Sequence, residues 1–469
     1  MRKTRIIATL GPATGSPEAM EALLVAGVNV FRINCSHARH DWIRRTVPEI
    51  RSLARRLGLP VGVLLDIQGP SIRTGDVATP IALSVGDTLA FTTDGNPPSG
   101  VISTTVSYPD FPGDVEVGRT LLVDNGSLAM RILSKTATSV LCEALTAGEL
   151  GSRRHINLPG VRLSLPALTP KDRADVAVGL EMGVDLIAQS FVRDPDDVSA
   201  LRDLVAGARD PVTLVAKIEH QFAVDHFDDI ARTTDAVMVA RGDLGIECPY
   251  EELPIIQRRI VKHCLRIGRP VIVATEMLES MTENPFPTRA EITDVANAVF
   301  EQADAIMLSG ETATGRYPVE CVRVMDRIAC RIERSGGANY HEAAEMGSAR
   351  EMLVRSAVGL ADQLKAAALI VFSRDGRIVR DAAWLRPRHS PIFAFVASAS
   401  LAGPLSLLRA VRPVVMPSCN DDPAGSVEGA LGRLRTAGHL ASGDRVVVVL
   451  PHPTSNDSEV EAVKMHVIG

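Results

Sequence analysis

Residues that could bind a metal ion and an anion follow apolar, strand-like runs of this sequence. Lys217 and Glu219 end one such run two residues apart, so in a strand their side chains point to the same side. Asp243 follows the next run and supplies a second carboxylate. Two carboxylates without histidine or cysteine suit a hard cation such as Mg²⁺ or Mn²⁺. The pattern indicates a divalent-metal site beside a lysine that can neutralise an anionic substrate.

Polar residues also end the other apolar runs. They are Arg32, Asn34, Ser36 and His37 after the second run, Asp66 after the third, Ser190 after the fourth, Arg241 and Gly242 after the sixth, Thr275 and Glu276 after the seventh, and Ser309 and Glu311 after the eighth. In a (β/α)₈ barrel the carboxyl ends of the strands form the active-site face. Simpler interpretations stay open: a Lys–Glu ion pair sealing the barrel, ion-paired arginines, and hydroxyls that cap helices.

Eight apolar runs alternate with stretches that carry helix-start signals. Ser16, Thr169 and Asp194 each precede a proline, and Thr288 with Glu291 has capping-box spacing. This alternation predicts a (β/α)₈ TIM barrel. The predicted strands span 5–11, 28–35, 61–67, 186–191, 212–219, 236–241, 270–275 and 305–310.

Two parts of the chain depart from the barrel pattern. The third helix is delayed by about a hundred residues rich in Gly, Pro, Thr and Val, with a turn signal at Asn125-Gly126, which predicts a small inserted β-barrel domain. Gly336-Gly337 opens a linker to an α/β domain of about five strands. The predicted domains are the catalytic barrel at 1–69 and 167–335, the inserted β-domain or lid at 70–166, and the C-terminal domain at 336–469.

The composition narrows the class of protein. The 469 residues are 46% hydrophobic and 23% charged, which excludes general disorder, and the net charge of −6 argues against a nucleic-acid coat or polybasic membrane anchor. No apolar run approaches the length of a transmembrane helix, and Gly11-Pro12 interrupts the N-terminal run before it could form a signal peptide. The seven cysteines form no CxxC pair, which predicts reduced, mostly buried thiols in the cytoplasm.

Several strings together resemble the pyruvate kinase family in order and spacing. They are RKTRIIATLGPAT, GVNVFRINCSHA, NLPGV, AKIEH, VMVARGDLGIE, ATEMLESM, PTRAEITDVANAV and MLSGETATG. The resemblance is dense over about 1–335 and thin in the C-terminal domain. It implies glycolytic phosphoryl transfer from phosphoenolpyruvate to ADP, giving pyruvate and ATP, in a cytoplasmic homotetramer with a regulatory-type C-terminal domain.

The resemblance also implies roles for individual residues in the chemistry. Glu219 and Asp243 would hold Mg²⁺ or Mn²⁺, Lys217 would neutralise the phosphoryl group and the enolate, and Arg32 would bind the phosphate. The substrate carboxylate would meet backbone groups and a hydroxyl, from Gly242, Asp243 and Thr275. The proton path to the enolate would comprise Thr275, Ser309 and Glu311.

Two further ligand sites follow from the same resemblance. A monovalent-cation site for K⁺ would use Asn34, Ser36, Asp66 and the carbonyl of Ile67. The nucleotide would contact Asn34, His37, Arg73 and Arg154.

The sequence departs from the family pattern near these sites. The string after the third strand reads Asp66-Ile-Gln-Gly-Pro-Ser71, and Ser71 replaces the Glu that accompanies K⁺ dependence or the Lys that accompanies independence. Ile67 and Gln68 lean toward independent members, so the sequence leaves the K⁺ requirement open. Arg154 and His155 replace the usual Lys and Gly. Glu276 replaces the usual Gln.

The effector region of the C-terminal domain differs more strongly. The loop at 373–377 carries Asp375, which would repel a phosphate. The segment PHPTSNDSEVEA at 451–462 is acidic where an activator loop would be rich in Gly and Thr. The sequence therefore argues against activation by fructose bisphosphate.

Two other classes of protein compete with this interpretation. One is another metal-dependent barrel enzyme of pyruvate or phosphoenolpyruvate chemistry, such as a lyase or a Schiff-base aldolase. An aldolase lysine must lose its proton, whereas Glu219 beside Lys217 favours the charged form. The other is a catalytically silent regulatory relative, but such a protein would be expected to have lost a metal ligand or Lys217.

Overall fold

The chain begins with three strand segments of a barrel, separated by two helices. The computed structural model describes residues 2–96, 99–161, 163–417, 423–452 and 459–469. Ser16 caps the first helix by accepting a hydrogen bond from the Ala19 N–H, as its place before Pro17 predicts. The elements are β1 (Arg5–Thr9), α1 (Pro17–Ala26), β2 (Val30–Asn34), α2 (His40–Leu57) and β3 (Gly62–Ile67).

An inserted β-domain follows β3. Its elements are β4 (Ile72–Arg73), β5 (Ile81–Leu83), β6 (Thr88–Thr92), β7 (Ser103–Thr105), α3 (Phe111–Asp114), β8 (Thr120–Val123), β9 (Leu128–Lys135), β10 (Ser139–Ala144), β11 (Gly148–Leu150) and β12 (His155–Asn157). Seven strands form one sheet in the order β4-β12-β8-β9-β10-β6-β7, while β11 pairs with β5. A bridge between Thr74 and Val106 joins the two edges of the larger sheet, so the sheet curls into a small barrel as predicted.

The barrel then resumes and completes its eight strands. The elements are α4 (Pro170–Met182), β13 (Leu186–Gln189), α5 (Pro195–Val205), β14 (Thr213–Ile218), α6 (Gln221–Asp225), α7 (Phe227–Thr233), β15 (Ala236–Ala240), α8 (Arg241–Glu247), α9 (Leu253–Ile267), β16 (Val271–Ala274), α10 (Arg289–Phe300), β17 (Ala305–Leu308), α11 (Gly310–Ala313) and α12 (Pro318–Glu333). A 3₁₀ helix at Glu279–Thr282 follows β16. Side chains of Thr169 and Thr288 cap α4 and α10 in complete capping boxes.

The eight strands close in the order β1-β17-β16-β15-β14-β13-β3-β2, and every neighbouring pair is parallel. Each predicted strand is present, and together they confirm the TIM barrel. Buried apolar side chains fill the interior of the barrel, while a second, larger cluster packs the strands against the surrounding helices. Both faces of the sheet are covered, which explains the nearly continuous apolar runs.

The C-terminal part forms a five-stranded sheet with helices. After a 3₁₀ helix at Tyr340–Ala343 come α13 (Ala349–Leu364), β18 (Ala368–Phe372), α14 (Arg377–Trp384), β19 (Ile392–Val396), α15 (Ala399–Leu405), β20 (Val411–Val415), α16 (Pro423–Thr436), β21 (Arg445–Pro451) and β22 (Val460–Val467). The order is β20-β19-β18-β21-β22, with β22 antiparallel to β21. Half of the acidic segment at 451–462, residues 453–458, lies outside the described residues.

The C-terminal sheet and its helices dock on the barrel through buried polar and apolar contacts. Arg386 makes a two-pronged ion pair with Asp304, at 2.6 and 2.9 Å, and both side chains are almost fully buried. The Trp384 indole donates to the Leu265 carbonyl at 2.5 Å, and Leu407 joins the apolar cluster inside the barrel. These contacts make the C-terminal part a continuation of the barrel's packing.

The cysteines and the helices show the features expected from the composition. The six described cysteines carry free thiols, and five of them are buried, while Cys419 lies outside the described residues. Among the described residues, the helices include none with both the length and the apolar character needed to cross a membrane.

Gly403 lies where α15 meets the amino end of the barrel. A Cβ atom at this position would lie 1.8 Å from Oδ1 of Asp185. The Asp185 carboxylate cannot easily move, because Arg51 donates to it at 2.7 Å and the Val63 N–H donates to it at 2.6 Å. Glycine is therefore required at 403 because α15 approaches Asp185 closely. The backbone conformation of Gly403 would itself accept other residues.

We expect Gly403→Ala to lower the melting temperature in calorimetry, because the added methyl group must displace a fixed, buried carboxylate. Overpacking of this kind costs about 1–3 kcal/mol of unfolding free energy. Gly429→Ala in α16 is the matched control, since a Cβ there would meet no atom within 4 Å. An unchanged melting temperature for Gly403→Ala would contradict the close approach.

Candidate active site

A cavity of about 200 Å³ opens at the carboxyl ends of the barrel strands, under the inserted β-domain. Polar side chains dominate its wall. The lining residues are Arg32, Asn34, Ser36, His37, Asp66, Gln68, Ser71, Arg73, His155, Ser190, Phe191, Lys217, Glu219 and Asp243. The structure thus brings together at one place the predicted residues from strand ends two to six, except Arg241 and Gly242, which do not line the cavity.

Lys217 lies at the centre of the cavity floor and is almost fully buried. Its Nζ atom lies 2.7 Å from Oε1 of Glu219, 3.2 Å from Oδ1 of Asp66 and 2.6 Å from Oγ of Ser190. Each contact joins a different strand end, from β14, β3 and β13. The ammonium group is therefore held by one carboxylate at the end of its own strand and by another two strands away, on β3.

Arg32 supplies the second buried cation. Its Nε atom donates to Oδ2 of Asp66 at 2.6 Å and its Nη1 atom donates to Oγ1 of Thr9 at 3.1 Å. Asp66 therefore bridges the two cations with its two oxygens. Charge-assisted contacts of this length fix the guanidinium direction, so Arg32 presents its remaining N–H groups without rearrangement.

Burial and neighbouring charges shift the pKa values in this cluster. Burial alone would lower the pKa of Lys217, but Asp66 and Glu219 outweigh it and raise that pKa above the ordinary value. Burial also opposes ionisation of Asp66, yet Lys217 and Arg32 hold its pKa below the ordinary value. Lys217 and Asp66 are therefore both charged at neutral pH.

Glu219 and Asp243 meet the chemical requirements for a divalent cation. Burial raises the pKa of Glu219, and Asp243 raises it further by repulsion, while Lys217 opposes the shift. With Glu219 ionised, the formal charges of Lys217, Arg32, Asp66 and Glu219 sum to zero, and Asp243 then leaves the cavity floor at −1. A divalent cation would relieve the repulsion and make the floor positive toward an anionic substrate. The described residues contain no cluster of three or more His, Cys, Asp or Glu suited to a metal, so this site rests on a pair.

Thr275 and Gly242 lie next to each other but behind the cavity wall. The Gly242 N–H donates to Oγ1 of Thr275 at 2.8 Å, and that hydroxyl donates to the Ala274 carbonyl at 2.6 Å. Thr275 and Glu276 have positive φ angles of 67° and 55°, an uncommon conformation for residues with side chains. Arg241 supports this turn by donating to the Thr275 carbonyl at 2.5 Å.

Ser309 and Glu311 form a second polar group behind the wall. The Glu311 carboxylate is fully buried and accepts hydrogen bonds from the Ser309 N–H at 2.7 Å and the Leu278 N–H at 3.1 Å. The Ser309 hydroxyl is buried and makes no hydrogen bond in the described part of the chain. Glu311 therefore fixes two backbone N–H groups, and the buried Ser309 hydroxyl lies beside it without a partner among the described residues.

The residues predicted for K⁺ lie together beside Arg32, but several of their oxygens are already engaged. Asn34 Oδ1 accepts from the Ser36 N–H at 3.1 Å, and both Asp66 oxygens contact cations. Ile67 is fully buried and does not line the cavity. Gln68 donates to Ser71 Oγ at 3.2 Å.

The predicted nucleotide-binding residues divide between the barrel and the inserted domain. His37 and Arg73 line the cavity, whereas Arg154 is exposed, pairs with Asp124 at 3.2 Å and does not line it. His155 also lines the cavity and contacts the Phe191 ring, with centroids 5.6 Å apart. Burial lowers the pKa of His155, while Asp243 opposes the shift.

One cluster of polar side chains near the site is not predicted by the sequence. Asn157, at the end of β12, donates to Glu247 at 2.9 Å, and His220 Nε2 lies 3.2 Å from the same carboxylate. Burial raises the pKa of Glu247 to about 7. The strings NLPGV, AKIEH and VMVARGDLGIE contain these residues, but only folding shows that they join the inserted domain to α8.

The fold is that of a TIM barrel, and the charges of its cavity suit a divalent cation and a small anion. The family model described as "Pyruvate kinase, barrel domain" matches residues 1–322, and "Pyruvate kinase, alpha/beta domain" matches residues 351–466. Curated pyruvate kinases from Staphylococcus epidermidis and Staphylococcus haemolyticus are 36% and 37% identical over 484 and 487 aligned positions, covering 100% of this chain and 81% of each relative.

A solved structure agrees with these matches. The crystal structure of a pyruvate kinase from Cryptosporidium parvum superposes with a TM-score of 0.93 at 34% identity, covering 100% of this chain and 96% of that one. The chain belongs to the pyruvate kinase family. It is a phosphotransferase of glycolysis that forms pyruvate and ATP from phosphoenolpyruvate and ADP, and its family generally requires a divalent metal ion.

We expect Asp66→Asn to destabilise the protein, because it leaves Lys217 and Arg32 buried with one carboxylate fewer. Breaking a buried ion pair in this way costs about 3–5 kcal/mol, which calorimetric melting measures. Asp76→Asn is the matched control, since its pair with Arg153 is exposed and such pairs contribute about 0–1 kcal/mol. Equal melting temperatures for the two variants would show that Asp66 does not balance the buried cations.

Proposed function

We propose that the cavity around Lys217 is the site at which this chain transfers the phosphoryl group from phosphoenolpyruvate to ADP. The observation that carries the proposal is the convergence of Lys217, Arg32, Glu219 and Asp243 on one small, mostly buried cavity. Phosphoryl transfer depends mainly on positioning and electrostatic stabilisation, and these fixed charges supply both.

Glu219 and Asp243 would hold the divalent ion, with Mg²⁺ or Mn²⁺ as the expected species because both donors are hard carboxylate oxygens. When bound, the ion would supply Lewis-acid stabilisation of charge on the substrate oxygens. Glu219 is prepared for this role because the Phe191 N–H and Lys217 fix its two oxygens, at 2.7 Å each.

Lys217 and Arg32 would act on the substrate directly. The Lys217 ammonium would neutralise charge that develops on the enolate oxygen as the phosphoryl group leaves. Arg32 would orient the phosphate, since Asp66 and Thr9 fix the plane of its guanidinium. The substrate carboxylate would lie against the start of α8, where Gly242 and Asp243 meet Thr275.

The enolate must then take a proton on carbon to become pyruvate. Thr275, Ser309 and Glu311 would form this proton path, and the buried Ser309 hydroxyl is the one of these groups without a hydrogen-bond partner among the described residues. Glu311 would act by orienting Ser309 through its backbone contact at 2.7 Å.

The nucleotide would enter between the barrel and the inserted β-domain, where His37, Asn34 and Arg73 line the cavity and Arg154 lies beyond it. In this arrangement 70–166 would act as the lid, 1–69 with 167–335 as the catalytic unit, and 336–469 as the regulatory-type unit. The work of such a glycolytic enzyme would take place in the cytoplasm.

A homotetramer is the expected assembly, and exposed apolar side chains on the barrel and on the C-terminal sheet support it. Tyr250 and Phe286 on the barrel are 83% and 76% exposed, and Met465 and Val467 on the edge strand β22 are 49% and 61% exposed. Two separate self-complementary surfaces are what a tetramer with three twofold axes requires.

We expect Lys217→Met to reduce the turnover number by at least about 10²–10³-fold, since it removes a preorganised charge at the reacting group. The measurement is pyruvate formation from phosphoenolpyruvate and ADP with Mg²⁺. Lys262→Met, an exposed position on α9, is the matched control. Turnover at the wild-type rate in Lys217→Met would overturn the assigned site.

We also expect comparable pyruvate formation with and without K⁺. The oxygens of Asn34 and Asp66 are already engaged by Ser36, Arg32 and Lys217, which leaves a monovalent cation few free ligands. The assay compares K⁺ with tetramethylammonium at equal ionic strength and saturating Mg²⁺. Activity in the K⁺ arm alone would show that these oxygens rearrange to form a required K⁺ site.

A further inference from the structure

Phe191 lies where both connections of the inserted β-domain meet the barrel. Gly69 is part of the outgoing connection, and a Cβ atom built on it would lie 3.1 Å from Cδ2 of the Phe191 ring. His155 begins β12, the last strand of the inserted domain, and its ring centroid lies 5.6 Å from that of Phe191 at an interplanar angle of 53°. The partly buried phenyl ring therefore lies between the segment that leads into the inserted domain and the domain's last strand.

The backbone of Phe191 has a second task inside the cavity. Its φ angle is +56°, an uncommon conformation for a residue with a side chain, which requires support from its surroundings. In this conformation its N–H donates to Oε2 of Glu219 at 2.7 Å, while Oε1 faces Lys217. The direction of the Glu219 carboxylate therefore depends on where the Phe191 backbone is held.

We propose that His155 is a positioning residue, whose ring holds Phe191 and thereby the Glu219 carboxylate in the orientation that binds the divalent cation. The proposal rests on the proposed role of Glu219 as a metal ligand. It couples the position of the inserted domain to metal binding, because His155 belongs to that domain and Glu219 to the barrel.

The test measures metal binding without turnover. Mn²⁺ is titrated into the full chain with phosphoenolpyruvate present and ADP absent, and binding is followed by water-proton relaxation. We expect His155→Ala to weaken Mn²⁺ binding by about 10-fold or more, the usual effect of losing a partner that orients a metal ligand. His155→Phe keeps a ring against Phe191 without any nitrogen and is expected to restore wild-type affinity.

Kinetics add a readout that a purely structural role would not move. In the Mg²⁺-dependent assay, the His155→Ala variant is expected to need more metal for half-maximal rate while its turnover number at saturating metal stays close to that of the wild type. His389→Ala, at an exposed position in the C-terminal part, is the matched control and is expected to match the wild type in both measurements.

Wild-type Mn²⁺ affinity in His155→Ala would overturn the proposal. So would a His155→Phe variant as weak as His155→Ala, because the imidazole nitrogens and not the ring contact would then be needed. Phe191→Leu removes the barrel side of the same ring contact and is expected to weaken Mn²⁺ binding as well. This variant keeps the proposal testable if His155→Ala does not fold. Failure of the wild type to phosphorylate ADP would count against the proposed function, whereas the Mn²⁺ series decides the role of His155 separately.

Discussion

The buried ammonium group of Lys217 is the constraint on which the rest of the site depends. Removing a charged lysine from water costs several kcal/mol, so it is stable only with carboxylates placed around it. Asp66 and Glu219 meet this need at 3.2 and 2.7 Å, and Arg32 in turn balances Asp66. These residues come from three strands that lie within a run of four neighbours, and their parallel pairing brings the same end of all three to one edge.

The barrel and the inserted β-domain both contribute residues to the cavity. The barrel supplies the charged floor, while the inserted β-domain supplies Arg73 and His155 to the wall. Asn157 of the domain donates to Glu247 of the barrel. The Gly69 N–H, just before the domain begins, donates to Asp172 and fixes the connection that leads into it. The Asn157 contact reaches the helix that carries Asp243. The position of the domain and the geometry of the proposed metal ligands are therefore mechanically linked.

Some residues to which the family resemblance assigns roles in proton transfer or nucleotide binding have their polar groups engaged in hydrogen bonds and ion pairs within the protein. Glu311 is committed to two backbone N–H groups, and the Thr275 hydroxyl is committed to the Gly242 N–H and the Ala274 carbonyl. Arg154 pairs with Asp124 on the inserted domain. The sequence places Thr275 and Glu311 at strand ends, but which hydrogen bonds they form depends on the conformation of the turns that follow, such as the positive φ angle of Thr275.

The sequence by itself determined the barrel, the inserted domain and the identity of the charged residues, because apolar runs and capping residues such as Ser16 and Thr288 act locally. It also showed that Lys217 and Glu219 point to one side, since strand geometry fixes that relation. Only the tertiary structure decided that Asp66 bridges Lys217 and Arg32, that His155 meets Phe191, and that Asn157 meets Glu247. These contacts join residues between 34 and 151 positions apart, and their geometry follows from barrel closure and domain placement, which no local pattern encodes.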